Sequence, residues 1–181
     1  HPDVDSPNGG YDGFPEIYST RLTGHPVAFA PDGTVVWESQ DTVRTSLGPF
    51  VSVADIDGDG AAEVLVDDLV LDAQTGVLLY RLSAPMESTW RSVSAADLDF
   101  DGMAEILLAG RVFDADGTLR WDGSVTPGTL NWMLPVQADA DEEGEVVVVA
   151  GGLLLLDLDL DSEDPVVVLL QASELFRYMF T

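Results

Sequence analysis

Short apolar runs, each bounded by turn residues, recur along the whole chain, and none shows the 3.6-residue period of a helix. Val27-Ala28-Phe29 is followed by the turn signal Pro31-Asp32-Gly33 and then by Thr34-Val35-Val36-Trp37. Leu69-Val70-Leu71-Asp72, the turn Gln74-Thr75-Gly76 and Val77-Leu78-Leu79-Tyr80 repeat the arrangement. Val112-Phe113-Asp114, Asp116-Gly117 and Thr118-Leu119-Arg120-Trp121 repeat it again. A fourth version runs from Leu153–Leu156 through acidic residues Asp161 to Asp164 into Val166–Leu170. β-branched and aromatic residues flanking Gly, Pro and Asp turns read as hairpins. Ahead of each hairpin lies a further apolar pair of segments. First strands are expected near Phe50–Val53, Val93–Ala96, Leu134–Ala138 and Leu175–Phe180, and a second strand at Glu16-Ile17-Tyr18 and at Val64-Leu65-Val66. The unit predicted is strand, acidic loop, strand, link, strand, tight turn, strand.

The acidic loops carry the candidate chemistry. Asp55, Asp57 and Asp59 alternate, Gly60 follows, and Glu63 opens the next strand. Asp97, Asp99, Asp101, Gly102 and Glu105 repeat this 42 residues later. Asp139, Asp141, Glu143 and Gly144 form an altered third copy, another 42 residues on, in which Glu145 follows the glycine directly as if two residues were missing. Asn8, Gly10, Asp12, Gly13 and Glu16 form a faint first copy. A hard cation such as Ca²⁺ takes six to eight oxygens at about 2.3–2.6 Å, and alternating carboxylates in a tight loop supply them. The carbonyls of Ala61 and Met103 are expected to add to each shell. Asn8, Asp12 and Glu16, and Asp139, Asp141 and Glu143, are weaker candidates because each set departs from the pattern. A period of about 40–45 residues with four strands in each unit matches propeller blades.

Ala54-Asp55-Ile56-Asp57-Gly58-Asp59-Gly60 followed by Glu63-Val64-Leu65-Val66, and the equivalent Ala96–Gly110 stretch, resemble the FG-GAP (VCBS-type) repeat of integrin-like β-propellers. The resemblance spans nearly the whole chain as four repeats, approximately 1–49, 50–92, 93–134 and 135–181, in one domain over 1–181. It implies an all-β propeller with calcium held between the first two strands of a blade. The ring is either closed with four blades, its last strand pairing with the first repeat, or is part of a larger propeller or half of a ring whose further blades come from another chain. Members of that family include adhesion receptors, lectins and some polysaccharide lyases, so fold alone does not settle function.

Charge narrows the partners. The chain has 33 acidic residues, seven arginines and no lysine, for a net charge of −26. Fifteen of the acids lie in the loop copies, where divalent ions would neutralise part of the charge. Contacts to nucleic-acid phosphate need Lys and Arg in number, so nucleic acids and anionic membranes are poor partners. There is no cysteine, and no apolar run reaches the length of a membrane helix. Hydrophobic residues make up 46%, too many for a disordered acidic polymer.

Aromatic and basic positions outside the loops carry weaker signals. Trp37, Tyr80 and Trp121 occupy equivalent hairpin places and are expected to pack between blades. Trp90 and Trp132, 42 residues apart, precede first strands, where packing competes with stacking on sugar rings. Arg44, Arg91 and Arg111 either pair with acids or hold an acidic ligand. No catalytic residue is assigned: the two histidines, His1 and His25, have no nucleophile motif near them, and the best-placed carboxylates have a metal explanation. The reading is an extracellular or cell-surface calcium-binding module for adhesion or for a protein or carbohydrate ligand. A self-assembling structural protein and a lyase-type scaffold stand as the alternatives.

Overall fold

The computed structural model of the chain describes residues 16–44, 50–83, 92–122, 132–136, 144–149, 153–157 and 167–171. Among them are fifteen strands in four antiparallel sheets and no helix. The first sheet has three strands, β1 (Ile17–Thr20), β2 (Pro26–Phe29) and β3 (Val35–Glu38). The second comprises β4 (Val51–Ala54), β5 (Glu63–Val66), β6 (Leu69–Asp72) and β7 (Leu78–Arg81). The third comprises β8 (Val93–Ala96), β9 (Glu105–Leu108), β10 (Arg111–Phe113) and β11 (Leu119–Asp122). The fourth comprises β12 (Trp132–Val136), β13 (Glu145–Val149), β14 (Leu153–Asp157) and β15 (Val167–Gln171).

Each sheet is a meander in chain order, as short hairpin connections dictate. The strands match the apolar runs, with one systematic difference. The last strand of each sheet starts one residue later than its apolar run. In every sheet the register slips once in the last hairpin: at Ala28/Phe29, Val70/Leu71, Val112/Phe113 and Leu155/Leu156. Such a bulge places two residues of one strand opposite one of its partner and re-aims the side chains beyond it. A strict two-residue alternation cannot anticipate it. The strand expected at Leu134–Ala138 is β12, beginning at Trp132. The segment at Leu175–Phe180 lies outside the described residues.

The middle strands are the most deeply buried. Val64, Leu65, Val66, Leu69, Val70 and Leu71 are at most 1% exposed, as are Ile106, Leu107, Leu108, Val112 and Phe113. A strand apolar on both faces needs cover on both faces. The cover comes from the neighbouring sheets: one apolar cluster joins Leu65 and Val70 to Ile106, Leu108 and Phe113, a second joins Ala28 and Trp37 to Val64 and Leu71, and a third joins Leu107 and Val112 to Met133, Val146 and Val148. The first strands are neighbours too, with β8 in contact with both β4 and β12.

A repeated lock fastens the first sheet to the second and the second to the third. The bulge register brings Trp37, Tyr80 and Trp121 opposite Ala28, Val70 and Val112, and sets Leu170 opposite Leu155 in the fourth sheet. Trp37 donates its indole N–H to the carbonyl of Ala73, at 2.8 Å, in the last hairpin of the second sheet. Tyr80 donates its hydroxyl to Ala115, the matching residue of the third sheet. A glycine accompanies each contact: a Cβ on Gly76 would lie 2.4 Å from the Trp37 ring, and one on Gly117 2.9 Å from the Tyr80 ring. The aromatic places therefore pack between sheets. At the opposite end of the second sheet from its acidic loop, the fully buried Asp68 carboxylate is held by Arg81 and Arg44, each at 3.2 Å. Arg44 thus pairs with an acid, as does Arg111 with Asp122 at 3.1 Å.

The lock predicts unequal costs for two glycines with similar backbone. Gly33 and Gly76 have φ of 86° and 70°, so alanine strains both by about 1–2 kcal/mol. Only Gly76 faces a buried ring; nothing lies within 4 Å of a Cβ on Gly33. Gly76→Ala should therefore cost about 1–3 kcal/mol more than Gly33→Ala in urea unfolding, the usual scale of overpacking. Equal costs would show that the Trp37 contact is not a rigid joint.

Candidate metal centres between strands

Each acidic loop joins the first two strands of a sheet, and its second residue anchors it. Ile56 and Leu98 are 2% exposed, so the alternation of the loop sends apolar side chains into the core and carboxylates outward. The anchors also link loop to loop. Ala104 donates its N–H to the Ile56 carbonyl at 2.8 Å, and Gly144 donates to the Leu98 carbonyl at 2.7 Å. Gly60 and Gly102, with φ of 90° and 95°, take the left-handed turn where a side chain would be strained.

Within the second sheet's loop, Asp55, Asp57 and Glu63 converge, with one ligand atom from each lying within 4.8 Å of the others. In the third sheet's loop Asp97, Asp99 and Glu105 do the same. The hydrogen bonds that shape the two loops are equivalent. Gly60 N–H donates to Asp55 Oδ2 and Gly102 N–H to Asp97 Oδ2, both at 3.0 Å. Ile56 N–H donates to Glu63 Oε2 at 3.0 Å and Leu98 N–H to Glu105 Oε2 at 2.7 Å. Asp59 and Asp101 use one oxygen on their own turns, accepting from Ala61 N–H at 2.7 Å and Met103 N–H at 2.8 Å. They stand outside the converging trios.

These groups can hold a metal ion. Two observations suit them to a cation. Asp97 Oδ1 is buried and has no hydrogen-bond partner, an arrangement that is costly for a carboxylate oxygen facing neither water nor a donor. Glu63 and Glu105 are 6% and 3% exposed. Burial, opposed by a backbone N–H and reinforced by neighbouring aspartates, pushes the carboxyl of Glu63 up, and that of Glu105 up to about 7. A positive charge at the centre of each trio would reverse that penalty. Beside them lies a cavity of about 500 Å³ between the two sheets, lined by Asp57, Asp101 and Glu105 from the loops and by Tyr80, Met103 and Arg120.

The third loop differs from the reading of its sequence. Glu145 pairs with Val136 across the first two strands, as Glu63 pairs with Ala54 and Glu105 with Ala96. Eight residues separate each pair, so no deletion exists and the copy is shifted by two. Glu145, fully buried, matches Glu63 and Glu105. Counting back along the sequence, Asp139 and Asp141 fall at positions three and five, Gln137 at position one, and Glu143 at position seven. Asp139, Asp141 and Glu143 themselves lie outside the described residues, as do Asn8, Asp12, Trp90 and Arg91. Glu16 precedes β1 as Glu63 precedes Val64, and its two carboxylate oxygens are buried. Trp132 is 37% exposed and meets Phe50 edge-on, with ring centroids 5.2 Å apart. Sequence reasoning missed Arg120, whose guanidinium lies 3.6 Å from Asp99; it falls one residue before the aromatic of its hairpin, a place held elsewhere by Leu79.

No protein-family model matches the chain, and no curated protein does. Its fold is that of part of a solved structure, the biofilm matrix protein Bap1 of V. cholerae. The TM-score is 0.67 at 23% sequence identity, over 91% of this chain and 26% of that one. The chain thus spans about a quarter of that protein's length.

The buried glutamate gives the metal-free loops a measurable signature. Its carboxyl rises from 4.5 in the open chain to about 7 in the fold, so the folded form binds the proton more tightly. That contribution is present below 4.5 and is lost as pH rises through about 7. Glu105→Gln keeps the neutral form at every pH. Metal-stripped wild type should therefore lose stability relative to Glu105→Gln between these values in a denaturant series. Parallel pH profiles would mean that Glu105 is not held in a desolvated anionic cluster.

Proposed function

We propose that this chain is a calcium-stabilised β-propeller module that works outside the cytosol in adhesion or matrix assembly. The observation that carries the reading is the pair of matching carboxylate trios, Asp55/Asp57/Glu63 and Asp97/Asp99/Glu105, each made partly of buried oxygens. All-oxygen donor sets suit Ca²⁺, whose sites fill six to eight positions with carboxylates, carbonyls and water. Asp59 and Asp101 through their second oxygens, and the Ala61 and Met103 carbonyls, are the chain's remaining ligands in this reading. The Glu16 loop with Asn8 and Asp12, and the shifted loop with Asp139, Asp141, Glu143 and Glu145, bind more weakly or not at all. The four meander sheets are blades of the FG-GAP type, at approximately 1–49, 50–92, 93–134 and 135–181. The adjacency of β4, β8 and β12 and the aromatic locks support that arrangement.

Placement outside the cytosol rests on three things: loops of modest affinity need the high calcium found there, the strongly acidic surface resists nucleic acid and anionic membrane, and the fold is shared with part of a biofilm matrix protein. The partner in this reading is a protein or carbohydrate of the surface or matrix, with Trp132 and Trp90 offering flat faces for sugar rings. The same likeness favours self-association within a matrix as the second form of the role. Scattering with and without calcium separates binding to a ligand from assembly with other copies.

Calcium should act directly on stability. Without it, each loop holds its carboxylates against their own repulsion; with it, the folded loop alone offers a finished site. At free calcium 100 times the dissociation constant one site adds about 2.7 kcal/mol, and two add roughly 5 kcal/mol, comparable with the whole stability of a marginal domain. Chelation should lower the melting temperature by many degrees. Asp57→Ala and Asp99→Ala should each remove a substantial part of the calcium effect. Asp32→Ala, in an exposed turn where Asp32 accepts from the Thr34 N–H, should leave it intact. Superimposable melts in calcium and in chelator, at constant ionic strength, would defeat the proposal.

A further inference from the structure

The two loops share their ligands but not their surroundings. Arg120 reaches from β11 into the cavity beside the third sheet's loop. Its Nη2 lies 3.6 Å from Asp99 Oδ2 and its Nη1 3.0 Å from Asp114 Oδ1. The hairpin register aligns Trp121 with Tyr80, so the matching residue of the second sheet is Leu79, a half-exposed apolar side chain. There, the residue matching Asp114 is Asp72, which accepts from the backbone N–H and hydroxyl of Thr75. One trio therefore has a guanidinium against a ligand carboxylate, and its twin has none among these equivalents.

We infer that Arg120 sets the calcium affinity of the Asp97/Asp99/Glu105 site below that of the Asp55/Asp57/Glu63 site, acting as a built-in competing cation. The inference rests on the calcium reading above and says how that reading divides between the two sites. The unpartnered, buried Asp97 Oδ1 leaves this loop an unmet demand for positive charge that a guanidinium beside Asp99 does not reach. Arg120 is a positioning residue and ligates nothing. Its charge offsets part of the carboxylate repulsion when the loop is empty, and it repels a divalent ion when one arrives. Both effects narrow the free-energy gain on binding. A unit charge several ångströms from a divalent ion in a partly solvated site is worth about tenfold in affinity. Arginine is suited to the task because it stays charged at any working pH.

Site-resolved calcium titration by NMR of the full chain tests this. The amides of Gly60 and Gly102 donate to Asp55 and Asp97 and report the two sites separately. In wild type the Gly102 midpoint should lie about tenfold above that of Gly60. Arg120→Leu should bring Gly102 down to the Gly60 value and leave Gly60 unmoved. Arg120→Gln should do the same if leucine compromises folding, and Arg120→Lys should keep Gly102 weak. Equal midpoints in wild type, or a Gly102 midpoint unmoved by Arg120→Leu and Arg120→Gln, would overturn the inference while leaving calcium binding intact. If neither glycine responds to calcium in any variant, the calcium reading fails and takes this inference with it.

Discussion

Like charge gathered at the joints between sheets is the constraint around which this structure is arranged. The loops that carry Asp55, Asp57 and Glu63, and Asp97, Asp99 and Glu105, also carry the backbone bond that links consecutive sheets, from Ala104 to Ile56. Their second residues, Ile56 and Leu98, are core side chains. The acidic residues cannot move apart without pulling these anchors from the core or breaking the link. Repulsion is thus held in place by hydrophobic burial, which keeps these carboxylates grouped where they could hold a metal ion. The Glu105 carboxyl is pushed up to about 7 by burial first and by the neighbouring Asp99 and Asp101 charges second.

The other end of the second sheet treats charge differently. Asp68 is as buried as any apolar core residue, yet two arginines neutralise it within the chain. Removing either partner of such a group leaves an uncompensated charge, while the pair itself gives little net stability. Its value lies in tying the segment after β3 to the β5–β6 turn. With only seven arginines in the chain, and two of them committed to Asp68, the acidic loops have few internal cations to draw on. Among the described residues Arg120 is the exception, and its position beside Asp99 distinguishes two acidic groups that otherwise look alike. The aromatic locks at Trp37 and Tyr80 act at the loop end: Ala73, which accepts from Trp37, donates to Ala62 of the acidic loop, and Tyr80 lines the cavity with Asp57 and Glu105. They stiffen the outer hairpins, so the geometry of the loops is inherited from rigid sheets on both sides.

Much of this was legible in the chain. Short apolar runs between turn residues determined the strands, because a strand buried between sheets on both faces shows a continuous apolar run bounded by turns. Repetition determined that the units are equivalent, and the alternation of Asp55, Asp57 and Asp59 determined where carboxylates would gather. Other features depended on register and proximity, which no local pattern encodes. The bulge in each last hairpin shifted four strands by one residue. Strand pairing moved the third loop by two positions and brought Glu145 into the place of Glu63 and Glu105, since an Asp-rich stretch can be aligned to itself in more than one way. The partner of Trp37 lies 36 residues away and that of Tyr80 35 residues away, both in the next sheet. Arg120 read as one more hairpin residue until β11 was laid beside the loop. The sequence by itself determined which groups exist and how often they recur; only the tertiary structure decided which of them are buried together, because desolvation and charge pairing depend on distances through space.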